Sequence, residues 1–287
     1  PVSFLTRADV FTKLTIPILK SLNMMPIYRI RDGIQSLSQN DAVFDTCFKM
    51  LSEEKVILIF PEGNHGNEYY LRPISKGTAR LALDARDQID PNTKVYIVPV
   101  GINYFSHTRP LARLFLKFGD PIALDSYMDL YHEHKQKGYN QLKTDLTEAM
   151  KNTLILPEKD EFYEKKKEWI YQPKHESLSF EKLQEMGRGD YFEEVKPRTK
   201  NFFVKFLIGF FSLFNFLPLF GVKRLLKLVQ DPVFKVSLKY LGGGIFHFFW
   251  WLVVYAIGAL TIGWEAGLLF VATCITSMFA RQTLIKF

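Results

Sequence analysis

Glu62, Asn64 and His65 fall within four consecutive positions, in the run Pro61-Glu62-Gly63-Asn64-His65-Gly66-Asn67. A carboxylate in such a loop can orient a hydroxyl or an adjacent base, while the amide and imidazole can donate hydrogen bonds. Gly63 and Gly66 allow a ligand to approach the backbone closely. Positive side chains flank the loop: Arg29 precedes it, and Arg72 and Lys76 follow it. A guanidinium, an ammonium and a helix N-terminus together suit a phosphate. The competing reading leaves Arg29 and Arg72 as surface charges and Lys76 as a cation at a solvated helix end.

Other chemistries find less support. The sequence has no G-x-x-x-x-G-K-[ST] or G-x-G-x-x-G nucleotide loop and no G-x-S-x-G nucleophile elbow. His132 and His134 stand close together in YHEHKQK, but a metal site needs further ligands, so a solvated polar segment is the better reading and no metal is expected. Cys47 and Cys274 are the only cysteines and lie far apart, which argues against a disulfide or a redox pair.

The elements that must position the loop alternate. Val2-Ser3-Phe4-Leu5 and Met24 to Ile30 read as strands around a helical stretch from Phe11 to Leu22, which Pro17 is expected to bend or divide. DAVFDTCFKMLSEE (41–54) carries a helical apolar face with Asp41 as its cap. Val56-Ile57-Leu58-Ile59-Phe60 is uninterrupted and partly β-branched, so it reads as a buried strand of a mostly parallel sheet. The Glu62 loop therefore leaves the carboxyl end of a parallel strand, a favoured ligand position in open α/β sheets. A helix over 75–87 capped by Ser75, strands over 94–104 and 114–118, and a helix over 139–153 complete an α/β domain at residues 1–156. Pro99 predicts an edge position or an irregularity late in the 94–104 strand.

Residues 157–200 form a charged helical and connector region, and 201–287 a hydrophobic region. Mean hydropathy over all 287 residues is −0.03, and the net charge is +7. These averages conceal a division. Residues 1–200 hold 29 basic and 28 acidic side chains, whereas 201–287 hold 8 basic and 2 acidic ones. Basicity beside long apolar runs favours an anionic membrane surface over a nucleic-acid groove, so no nucleic-acid partner is expected. Asn201 to Val222 has Lys205 as its single charge; as one helix it would be ~33 Å long, close to a ~30 Å hydrocarbon core. Pro218 lies near the end of that segment, and Lys223, Arg224 and Lys227 supply a flank suited to lipid headgroups. Tyr240 to Ala280 contains no Lys or Arg and one acid, Glu265. Two legs, 245–262 and 266–280, read as a membrane hairpin turning near Gly263-Trp264-Glu265, each short for a perpendicular span.

Four ordered blocks carry a specific resemblance. MMPIYRIRDG (24–33), VILIFPEGNHG (56–66), LRPISKGTARLAL (71–83) and VYIVPVGINY (95–104) resemble the glycerolipid acyltransferase family typified by bacterial 1-acyl-glycerol-3-phosphate acyltransferases. The order and spacing agree across residues 1–125. The resemblance implies an acyltransferase-like α/β fold with a central mostly parallel or mixed sheet flanked by helices, followed here by a hydrophobic helical membrane tail. It also implies acyl transfer from acyl-CoA or acyl carrier protein to a lysophosphatidic acid or related glycerol-phosphate hydroxyl, with no cofactor. Arg29, Glu62, Gly63 and Lys76 match positions for the acceptor and its phosphate, joined by Asn64 and His65 in the same loop. Pro99 matches the block that shapes the acyl-chain region. Where the commoner pattern has Gly-Thr-Arg, this sequence has Gly63-Asn64-His65, which alters the acceptor geometry.

The family's first block, a His followed after four residues by an Asp, is absent, and no His precedes His65. No catalytic residue is therefore expected in this chain. In relatives that His is the general base for the acceptor hydroxyl, and the expectation is that it and its Asp lie upstream of Pro1. Two alternatives stand beside the enzyme: an inactive membrane protein that binds acidic lipid, and a phosphate-dependent lipid hydrolase. The expected partners are membrane phospholipid, a lysophospholipid acceptor and the acyl donor. The expected location is a membrane, the bacterial inner membrane by analogy, with the α/β domain on the cytoplasmic side.

Overall fold

The computed structural model describes residues 2–28, 39–63, 66, 68–107, 109, 112–189, 191–193, 201–229 and 234–286. The chain divides into two compact units. The first comprises Pro1–His65, Tyr69–Asn103 and Phe115–Lys159; the second comprises Gly66–Glu68, Tyr104–Leu114 and Asp160–Phe287.

The first unit is mixed α/β. Strand β1 (Val2–Arg7) lies between β2 (Met24–Ile27) and β3 (Val56–Leu58), parallel to both. Phe4 sets the register, opposite Met24 on one side and Leu58 on the other. The carboxyl ends of β2 and β3 therefore face the same way. Between β1 and β2 runs α1 (Ile16–Ser21), with Pro17 in its first turn. There the missing N–H costs nothing, so Pro17 starts this helix rather than bending it.

Helix α2 (Gln39–Ser52) begins two residues before Asp41, which lies in its first turn rather than at its cap. The Asn40 side chain accepts from the Tyr28 N–H at 2.9 Å and donates to the Tyr28 carbonyl at 2.8 Å, fastening the exit of β2 to the start of α2. Helix α3 (Lys76–Gln88) is the centre of the unit. Its Leu81 and Ala85 pack with Leu5, Phe44, Cys47 and Phe48. Ala79, Ala82 and Leu83 pack on the opposite side against Leu124, Tyr127, Tyr131, Tyr139 and Leu142. The Cys47 thiol is 0% exposed, and burial pushes its pKa up to about 11.

One expectation fails in this sheet. The run 56–60 is not a fully buried strand: β3 covers three of its residues at the edge of the sheet, Val56 in β3 is 58% exposed, and Phe60 beyond it is 57% exposed. Sequence order hides this, because β1 takes the middle position and leaves β3 with one neighbour among the described residues. The expected strand over 94–104 divides at Val98-Pro99 into β4 (Tyr96–Ile97) and β5 (Val100–Tyr104), in different sheets. Proline has no N–H for a ladder, which accounts for the division. Strand β5 pairs with β6 (Leu114–Phe118), and β4 pairs antiparallel with β7 (Ile122–Ala123). Helices α4 (Met128–Glu133) and α5 (Lys135–Lys151) follow. His132 on α4 meets Asp87 at 2.8 Å, and no metal-binding group of side chains occurs among the described residues.

The C-terminal end of α3 is closed by Arg86. Its guanidinium is buried, donates to the carbonyls of Ile89 (3.3 Å) and Pro91 (3.1 Å), and pairs with Asp125. A cation at this end satisfies the carbonyl of the C-cap Ile89, ties down the chain that follows at Pro91, and interacts favourably with the helix dipole.

The second unit is helical: α6 (Tyr163–Ile170), α7 (Phe180–Arg188), α8 (Phe202–Leu213), α9 (Phe216–Lys227), α10 (Phe234–Thr261) and α11 (Trp264–Lys286). Helices α10 and α11 are each long and apolar enough to cross a membrane. The expected hairpin is present, turning at Gly263 (φ 140°), a conformation that favours glycine. Its legs are longer than the sequence reading allowed: 28 and 23 residues span ~42 and ~34 Å. Gly258 and Gly267 bring them close, since a Cβ on Gly258 would lie 2.7 Å from the Gly267 Cα.

The single helix expected over 201–222 is instead broken, and α8 and α9 meet at 100°. The break falls at Phe214-Asn215, although the proline is at 218. Helical hydrogen bonding runs from an N–H to the carbonyl four residues earlier, so the acceptor left open by Pro218 is that of Phe214. That carbonyl accepts instead from Trp250 Nε1 at 2.9 Å and from the Cys274 thiol at 3.3 Å. Asn215 is 1% exposed and donates to the Cys274 carbonyl at 2.8 Å and to Ser277 Oγ at 3.0 Å. Side chains of α10 and α11 thus satisfy the carbonyl that Pro218 leaves without its helical donor.

Candidate active site

The loop singled out from its residue types is a turn following β3, and it packs on the segment that leads into α3. The Gly63 N–H donates to the Phe60 carbonyl at 3.2 Å, and Gly63 has a φ of 64°, in the left-handed region where a side chain is strained. Two further bonds staple the turn in place. The Ser75 N–H donates to the Pro61 carbonyl at 2.9 Å, and the Arg72 N–H donates to Glu62 Oε2 at 3.1 Å. Together they set the Glu62 carboxylate beside the approach to α3.

Glu62 is half-buried, and burial raises its pKa above the ordinary carboxylate value, against the opposing effect of the Arg72 N–H and charge. A carboxyl group held in this way has an elevated proton affinity. Such a group is a functional-site candidate, because structural carboxylates are usually left in water.

The start of α3 is open for a ligand. Ser75 has the extended backbone of an N-cap, yet its side chain makes no capping bond. Lys76 is exposed at the first helical position. Thr78, one turn in, is buried with no hydrogen-bond partner for its hydroxyl. Free N–H groups and an exposed ammonium at one helix N-terminus form an anion-accepting end, with the Thr78 hydroxyl buried behind it. The sequence reading missed Thr78; the available signal was a hydroxyl residue at the third helical position behind an uncapped serine.

Of the six residues expected to hold the acceptor, the structure brings Glu62 and Gly63 to the turn and Lys76 to the helix start. Arg29, Asn64 and His65 lie outside the described residues. Arg29 follows the carboxyl end of β2 by two positions.

Residues 1–103 match the family model described as Acyltransferase. Over 112 residues the chain is 32% identical to glycerol-3-phosphate O-acyltransferase 2 of Saccharomyces cerevisiae, covering 39% of this chain and 15% of that protein. It is 38% identical over 82 residues to glycerol-3-phosphate O-acyltransferase 1 of the same yeast, covering 29% of this chain and 11% of that protein. An uncharacterized acyltransferase of Schizosaccharomyces pombe is 30% identical over 96 residues, covering 33% and 14%. The chain thus spans at most 15% of the length of these curated relatives. No solved structure matches it. The resemblance carried by the four blocks stands at the level of glycerolipid acyltransferases, and the relatives are fungal where the comparison family was bacterial.

Proposed function

We propose, on the premise of an acyltransferase domain over residues 1–103, that this chain takes part in acyl transfer from acyl-CoA or acyl carrier protein to a glycerol-phosphate hydroxyl. The observation that carries the reading is the stapling of the Glu62 turn to the segment that opens α3. It sets a carboxylate of raised proton affinity beside a helix start able to take a phosphate. A glycerol phosphate presents a hydroxyl and a phosphate on one short carbon frame, which matches that pair of features. Lys76 and the first N–H groups of α3 hold the phosphate in this reading, with Arg29 and the loop residues Asn64 and His65 completing the acceptor site. Glu62 orients the acceptor hydroxyl or the base beside it.

The reaction needs a general base to take the hydroxyl proton as the oxygen attacks the thioester carbonyl and the thiolate leaves. Holding both reactants in attack geometry supplies a further share of the rate. We take the base to be a His paired with an Asp, as the resemblance implies; no His precedes His65 within these residues. Helices α10 and α11 anchor the protein in a membrane, with the α/β unit on the cytoplasmic side and membrane phospholipid around the hairpin. Glycerol 3-phosphate is the first acceptor to try, since it is named in two of the relatives, and lysophosphatidic acid is the second.

The test is an acyl-transfer assay on the 287-residue chain, beside a form that carries a His-x4-Asp block N-terminal to it. Each receives acyl-CoA or acyl carrier protein with either acceptor. The extended protein is expected to form an acylated glycerol phosphate, while the shorter chain binds glycerol 3-phosphate without transfer. Transfer by the shorter chain would show that the base lies within residues 1–287. Release of free fatty acid alone would favour a hydrolase, and binding without product in both forms an inactive lipid-binding protein.

A further inference from the structure

The second unit carries cations that the acyl-transfer reading leaves unused. Phe220, Lys223, Arg224 and Lys227 are spaced i, i+3, i+4 and i+7 on α9, so they form one stripe, and all four are exposed. The adjoining face of α9 is occupied. Gly221 lies against the Phe246 ring of α10, and Gly242 of α10 lies against Leu225. The stripe therefore turns away from α10. The Arg224 guanidinium stands over the Phe220 ring, 5.5 Å from its centroid. These four residues border an open recess of about 260 Å³ on the face of this one helix, and the surface they turn to it is mostly apolar.

Charge complementarity identifies the occupant. None of Lys223, Arg224 and Lys227 has a carboxylate partner among the described residues. The tail contains two acids: Asp231, outside the described residues, and Glu265, at the hairpin turn. Because Gly221 and Leu225 pack on residues 242–246, α9 lies toward the start of α10, where Lys235 and Lys239 also stand. The antiparallel hairpin returns Arg281 to that same end and leaves Glu265 at the other. The bundle thus has a basic end and an end without cations among the described residues. A membrane leaflet with anionic headgroups fits the basic end. Cations alone would accept free phosphate; the Phe220 ring and the apolar stems that border the recess between them also suit the glycerol and upper acyl region of a lipid.

We propose that Phe220, Lys223, Arg224 and Lys227 form a binding site for one anionic phospholipid of the surrounding bilayer, separate from the acceptor site of the α/β unit. The cations hold the headgroup phosphate, and Phe220 with the methylene stems of the basic side chains covers its glycerol end. Lipid bound here is retained rather than acylated, so acyl transfer and this site fail independently.

The test uses the full chain in phosphatidylcholine nanodiscs containing a minor fraction of phosphatidylglycerol, with retained lipid counted by native mass spectrometry. The wild-type chain is expected to keep phosphatidylglycerol in preference to phosphatidylcholine, with retention falling as salt rises. The triple variant K223Q/R224Q/K227Q should lose about a hundredfold in affinity for phosphatidylglycerol, and F220A a smaller part. The variant K235Q/K239Q should stay within about twofold of wild type, since a diffuse surface field is shared and a site is not. Equal losses in the two charge variants, salt-independent retention, or displacement of the lipid by inorganic phosphate would each overturn the proposal. An acidic protein fragment that outcompetes the lipid on the same residues would overturn it too. The salt series on the wild-type chain keeps the test valid should the triple variant fail to fold.

Discussion

Glu62→Gln is expected to lower acyl transfer by about a hundredfold in kcat/KM, or about 2.7 kcal/mol of transition-state stabilisation, without unfolding the protein. Gln keeps the length of the side chain, and its carbonyl can still accept from the Arg72 N–H, the bond that holds the turn at 3.1 Å. What disappears is the negative charge. The same change should leave thermal stability equal or raise it. Burial raises the folded-state pKa of Glu62, so between the ordinary carboxylate value and that raised value the folded protein binds more protons than the unfolded one. Its stability therefore falls as pH rises through that window. The Gln variant has no proton to lose there and should show a flatter melting temperature across it. The checks are an acyl-transfer assay with glycerol 3-phosphate and a melting series over pH. Near-normal turnover in the variant would remove Glu62 from the proposed acceptor site.

Gly101→Ala is expected to destabilise the α/β unit by about 3 kcal/mol or more, a large share of the ~5–15 kcal/mol that holds a domain together. A Cβ at Gly101 would lie 2.0 Å from the Thr153 carbonyl oxygen and 2.6 Å from Thr153 Oγ1. Backbone, rather than a flexible side-chain tip, stands in its way. The segment that must yield is tied down two residues along the strand. Asn103, 5% exposed, donates to the Thr153 carbonyl at 2.9 Å and accepts from the Ile155 N–H at 3.0 Å. Moving Thr153 therefore breaks buried hydrogen bonds as well as packing. Gly77→Ala is the contrast, because its Cβ would meet nothing nearer than Ser75 Oγ at 3.7 Å. That variant should melt at or above the wild-type temperature, since alanine suits a helix better than glycine. Equal melting of the two variants would refute the steric argument.

The parts legible in the sequence were those with local causes. The 75–87 helix, an irregularity at Pro99 in the 94–104 strand and the turn at Gly263 each follow from residues inside the element, although the full division of that strand was not foreseen. The exposure of β3 does not, because it depends on β1 taking the central place, a pairing across more than fifty residues. Strand β7 and helix α4 escaped notice because two and six residues show too little periodicity. Pro218 was visible, but its effect falls four residues earlier, on a carbonyl whose new partners come from α10 and α11. At the candidate site, Glu62 and Lys76 stood out by type and charge. Thr78 did not, because only its burial without a partner distinguishes it from any other helical threonine.

The two cysteines give each unit its own clock. Cys47 is sealed in the core of the α/β unit, and Cys274, 4% exposed, is sealed beside the break between α8 and α9. A thiol-trapping reagent meets neither until the surrounding core opens, so the rate of labelling measures opening rather than surface access. Labelling Cys274→Ala and Cys47→Ala chains in parallel would time the two units separately within one protein, with no probe added to it.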